Sequence, residues 1–97
     1  MTLRRRFDVL VRDPVAGGSF EQWPGSLDAA GIHFTQSHPP ARRLELRFLL
    51  PGPDAEVRAG AEVVRVDREG DAFVAHASLD GLSPDDQLAV SRFLEGA

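Results

Sequence analysis

Apolar and polar residues alternate with a period of two along most of this chain, and short turn signals separate the alternating runs. Phe7, Val9 and Val11 alternate with Asp8, Leu10 and Arg12, and Ile32 and Phe34 flank His33. Leu44, Leu46, Phe48 and Leu50 alternate with Arg43, Glu45, Arg47 and Leu49, the cleanest strand pattern present. Phe73, Ala75, Ala77 and Leu79 alternate with Val74, His76 and Ser78. Each run predicts a strand with one apolar face and one mostly solvated face, as in an antiparallel sheet. Pro and Gly clusters at Pro24-Gly25, His38-Pro39-Pro40, Pro51-Gly52-Pro53-Asp54 and Asp80-Gly81 predict turns between them.

The segment from Ala55 to Asp67 changes phase. Val57, Ala59, Ala61 and Val63 share one parity, whereas Val64 and Val66 share the other. A slip of one residue predicts a β-bulge, which lets a long strand turn a barrel corner. The pattern as a whole predicts a mainly β fold, a six-stranded antiparallel barrel. An unpaired edge of such a barrel would offer a route to a dimer. After Leu82 the period becomes helical. Ser83 suits an N-cap, Pro84 the first turn, and Asp85 and Asp86 the positive end of a helix. Ala89, Val90, Phe93, Leu94 and Ala97 then form one apolar stripe, predicting a C-terminal helix docked through Phe93 and Leu94.

Composition narrows the function classes. The 97 residues are 42% hydrophobic and 27% charged, which predicts one globular domain over 1–97. Without cysteine, neither a disulfide framework nor a Cys-ligated zinc can form. No apolar run approaches a membrane span, and the first residues lack a secretion-signal pattern, so a soluble, cytoplasmic protein is expected. The formal net charge of −4 argues against a nucleic-acid binder that works by neutralising phosphates. All 11 cations are arginine, as codon bias in a GC-rich genome would produce, so an arginine here carries less information than usual.

Two segments carry candidate chemistry. Arg4-Arg5-Arg6-Phe7 opens the first strand, and Ser26-Leu27-Asp28-Ala29-Ala30-Gly31 forms a polar, Gly-terminated turn running into Ile32-His33-Phe34. With the six-strand pattern and the closing Leu82-Ser83-Pro84-Asp85-Asp86 helix start, these segments resemble the PilZ domain family across essentially the whole chain. The resemblance implies a bacterial protein with a PilZ-like β-barrel and a C-terminal helix. Most such domains are receptors for cyclic di-GMP, with an Arg-x-x-x-Arg pair followed by Asp/Asn-x-Ser-x-x-Gly. Guanidinium forks suit the two phosphates and also stack on purines. Short polar side chains then read guanine edges.

This sequence departs from both halves of that signature. No arginine lies four residues after Arg4, Arg5 or Arg6; aligned by Phe7, the vacant position is Val9. The acidic and serine positions before Gly31 are exchanged, giving Ser26 and Asp28. Loss of one charge-assisted contact costs ~1.5–3 kcal/mol. The resemblance therefore implies a non-catalytic regulatory adaptor in motility, type IV pilus function or cyclic di-GMP signalling, with dinucleotide binding weakened or lost, acting on a protein partner. A working receptor with Arg4, Arg5, Arg6, Ser26, Asp28 and Gly31 as contacts is the alternative, and a nucleic-acid-binding barrel a third reading. Ser26 and Asp28 equally suit local turn chemistry. Trp23 is either a partner-binding anchor or a ring folded over the barrel end. His33, His38 and His76 share no metal-ligand spacing and are expected at the surface, so no metal and no cofactor beyond a possible cyclic di-GMP ligand is expected. No nucleophile elbow, phosphate loop or dinucleotide fingerprint occurs, and no enzymatic activity is expected.

Overall fold

The computed structural model describes residues 6–51 and 55–95. Six strands, β1 (Arg6–Arg12), β2 (Glu21–Asp28), β3 (Gly31–Gln36), β4 (Arg43–Leu50), β5 (Ala55–Glu69) and β6 (Ala72–Asp80), precede one helix, α1 (Pro84–Glu95). The strands close into an antiparallel barrel in the order β1-β2-β3-β6-β5-β4, with β4 returning to β1. Closure gives each strand two neighbours, so among the described residues no strand is left as an unpaired edge of the sheet.

Period-two alternation places the core as the parity requires. Val9, Val11, Ile32, Phe34, Leu44, Leu46, Phe48, Leu50, Val57, Ala61, Ala75 and Ala77 all point inward and are buried. The phase slip in β5 is a bulge: Val63 pairs with Ala77, Arg65 with His76, and Val64 is left over. Val64 and Val66 consequently lie on the exposed side of the β5 extension.

The Ser83 hydroxyl accepts a hydrogen bond from the Asp86 amide at 3.1 Å, capping α1. A twelve-residue helix is marginal alone, and its Ala89/Phe93 face closes the barrel end against β4 and β5. Phe93 meets Phe7 edge-on at 5.7 Å, and Phe7 stacks on Phe48 at 5.4 Å. Leu94 is half-buried and packs against the core. Ala97 and the Gly52–Asp54 part of the expected turn lie outside the described residues.

One expected turn is a strand. Pro24 and Gly25 sit in the middle of β2, opposite Asp8 and Phe7 of β1. Proline is tolerated because β2 pairs with β3 only from Gly25 onward, leaving Pro24 with a neighbour on one side. Gly25 is required by proximity: a Cβ there would come within 2.7 Å of Val9 Cγ2 and 2.8 Å of the His33 carbonyl oxygen. No helix among the described residues is long and apolar enough to cross a membrane.

Candidate functional site: a polar row across five strands

Strand register aligns five polar residues side by side on the outside of the barrel. Arg6 of β1 lies opposite Ser26 of β2, Ser26 opposite His33 of β3, His33 opposite His76 of β6, and His76 opposite Arg65 of β5. Their inward-pointing neighbours Gly25, Ile32, Phe34, Ala75 and Ala77 are buried, so the row is the outer surface of a tightly packed wall. Arg6, Ser26, His33 and His76 share a pocket of about 260 Å³ with Asp67 and Glu69 of the β5 extension.

The two histidines are the centre of the row. Their Nδ1 atoms are 2.7 Å apart and the rings meet edge-on. Each ring turns its other nitrogen to a carboxylate: His33 Nε2 lies 3.1 Å from Asp28 Oδ1, and His76 Nε2 lies 2.9 Å from Asp67 Oδ2. Arg65 Nη2 donates to Asp67 at 3.0 Å and approaches His76 Nε2 at 3.3 Å. The His76 hydrogen bond and the nearby Arg65 charge outweigh desolvation and hold the Asp67 carboxyl below its ordinary range. Both imidazoles are only 15–20% exposed, in contrast to the surface position expected for them. Among the described residues no three His, Asp or Glu side chains converge as a metal site would need.

The residues singled out in the sequence do not form one site. Arg4 and Arg5 lie outside the described residues. Arg6 and Ser26 face the pocket just described. Asp28 and Gly31 instead line a separate, largely apolar cavity of about 280 Å³ between the β2–β3 turn and α1. Asp28 Oδ1 accepts the Ala30 amide at 2.8 Å and faces His33, so its carboxylate is engaged in turn chemistry and in the row. Gly31 is required by the backbone. Its φ is +137°, and a Cβ would collide with the Ala77 carbonyl oxygen of β6. Val9, at the position of the missing arginine, is fully buried between Trp23 and Phe48 in the register of its neighbours.

Trp23 packs against the barrel core, half-buried, and His38 meets its ring edge-on at 5.8 Å. His38 is itself held by Glu21 at 3.0 Å. The outward face of β4 is paired as well as solvated. Arg43 forms a two-point ion pair with Asp80, Arg12 binds both oxygens of Glu45, and the Arg12 and Arg47 guanidiniums both lie over the Phe20 ring, 4.7 and 4.8 Å from its centroid.

His33 and His76 are 43 positions apart, and only the β3–β6 pairing joins them. A signal was present in the alternation, since both occupy the outward parity of their strands. Their partnership was not encoded in any local spacing. Compared with protein-family models, curated proteins and solved structures, the chain has no match in any of the three.

Proposed function

We propose that this chain is a non-catalytic regulatory adaptor of the PilZ type, acting on a protein partner in bacterial motility, type IV pilus function or cyclic di-GMP signalling, with its dinucleotide grip lost. The observation that carries the reading is Val9. The second arginine of the family signature falls on a residue that is 0% exposed in the barrel core, where no guanidinium could reach a phosphate. The pocket beside Ser26 supports it: Arg6 lines it together with the carboxylates of Asp67 and Glu69, whose negative charge disfavours a phosphate diester. Ser26 and Asp28 also line different cavities, which weighs against a joint grip on one guanine edge. Such an adaptor works in the cytoplasm and needs no cofactor.

Calorimetric titration with cyclic di-GMP tests the reading. The expected result is no binding at micromolar concentrations. Micromolar or tighter binding that disappears in Arg6→Ala and Ser26→Ala would replace it with the receptor reading, which the shared position of Arg6 and Ser26 in one pocket favours. A binding ligand would also raise the melting temperature, because it stabilises only the folded state.

A further inference from the structure

We infer that the Val64–Glu69 part of β5 pairs with its own counterpart in a second copy of this chain, antiparallel about a two-fold axis at Val66, to give a weak dimer. The inference is independent of the adaptor reading and rests on strand register and on the order of charges along it.

A mismatch in strand length creates the surface. β5 has 15 residues and β4 has 8. β4 accompanies β5 from Ala55 to Glu62, and just beyond, the Val63 amide donates to the Arg42 carbonyl at 2.8 Å. β6 continues alongside as far as Glu69. Every residue from Val64 to Glu69 is exposed, and among the described residues no strand pairs with the side of them that faces away from β6. Such a segment offers a row of amides and carbonyls to any extended chain that fits it. It also carries apolar surface: Val64 is 66% exposed and Val66 44%, although Val66 stands in register with the buried Ala75 and shares its inner face.

The order of charges selects the occupant. The segment reads Val64-Arg65-Val66-Asp67-Arg68-Glu69. Two copies that keep their inner faces on one side of a joined sheet must pair about an axis through a residue, because neighbouring residues point to opposite faces. With Val66 on the axis, it meets its own counterpart, Arg65 stands opposite the second copy's Asp67, and Asp67 opposite the second copy's Arg65. Arg68 then stands opposite Val64, with an aliphatic stem able to cover the valine. With Arg65 or Asp67 on the axis, two like charges face each other directly, which destabilises a sheet. Alternating signs thus fit one register of this segment against itself and oppose its neighbours. Arg65 and Asp67 already touch within the strand at 3.0 Å, and their side chains remain 66% and 48% exposed, so each can take a second partner. A contact of this size is small, so the dimer is weak and forms only at high concentration.

Sedimentation equilibrium of the full chain, from about 10 μM to about 1 mM, tests the inference. The weight-average mass should climb toward twice that of the monomer, and hydrogen exchange at the amides of the Val64–Glu69 segment should slow as concentration rises. Arg65→Asp alone and Asp67→Arg alone each set like charges opposite at both symmetric pairs, and each should weaken self-association by roughly tenfold or more. Mixed in equal amounts, these two variants present opposite charges to each other and should associate again. Val66→Lys gives a second route to the loss, by placing two ammonium groups at the axis without removing the Asp67–His76 contact. Circular dichroism of each variant at low concentration checks that the barrel is intact. A parent chain that stays monomeric across the range overturns the inference and leaves the segment to a strand of another protein. A dimer undiminished by Arg65→Asp and Val66→Lys, or single variants that ignore each other in the mixture, overturns it by placing the contact elsewhere.

Discussion

Replacing Val9 by arginine restores the Arg-x-x-x-Arg spacing from Arg5 on paper, and the structure requires that this substitution destroy the fold instead of creating a binding site. Val9 is the fourth of seven residues in β1, fully buried, with Trp23 and Phe48 on the flanking strands and Gly25 packed so closely that a Cβ on the glycine would lie 2.7 Å from Val9 Cγ2. Losing the valine from the core costs about 1.5–3 kcal/mol. Fitting a longer side chain into a packed interior adds roughly 1–3 kcal/mol. An unpaired guanidinium taken out of water adds several kcal/mol more. The sum is at least ~5 kcal/mol, against a total stability of ~5–15 kcal/mol for a domain of this kind. Urea denaturation followed by circular dichroism, with calorimetry against cyclic di-GMP in parallel, measures both consequences. Val9→Arg should lack a cooperative transition and bind no dinucleotide, while Val9→Ile should fold with a change under ~1.5 kcal/mol. A Val9→Arg protein that melts close to the parent and binds the dinucleotide would show that this position reaches solvent, and the lost-grip reading would go with it.

Two further outcomes follow from the same wall of the barrel. Gly31→Ala places a side chain at φ +137° and against the Ala77 carbonyl, so backbone strain alone should cost ~1–3 kcal/mol, a fall of roughly 5–20 °C in melting temperature by calorimetry; a melting point unchanged within a degree would mean that β2–β3 turn geometry is different. Acid should weaken the fold through three surface carboxylates. Hydrogen bonds from Arg12, His76 and Arg43 hold Glu45, Asp67 and Asp80 below their ordinary values of 4.5, 3.8 and 3.8. Because the folded values are depressed, their contribution is complete above those ordinary values and is lost as pH falls through the folded ones. The urea midpoint should therefore drop progressively below pH 4.5, less steeply in Asp80→Asn and less steeply at high salt. A midpoint that stays flat or rises on acidification contradicts the ion-pair assignment.

Local chemistry in the sequence determined the parity of every recognised strand, the phase slip in β5 and the capped helix, because strand alternation, bulges and N-caps depend on residues a few positions apart. Leu44, Leu46, Phe48 and Leu50 pointed inward as their spacing required, and Val64 was extruded where the parity changed. Pro24-Gly25 read as a turn because both residues break regular structure in isolation. Only the tertiary structure decided otherwise, by giving Pro24 a single neighbour strand and packing Val9 and Phe34 where a Gly25 side chain would be. The same holds for function. Whether Ser26 and Asp28 share a site depends on which cavity each opens to, and the pairing of His33 with His76 depends on a register 43 residues long. Registers of that length are set by closure of the whole barrel around one core, so no local window contains them.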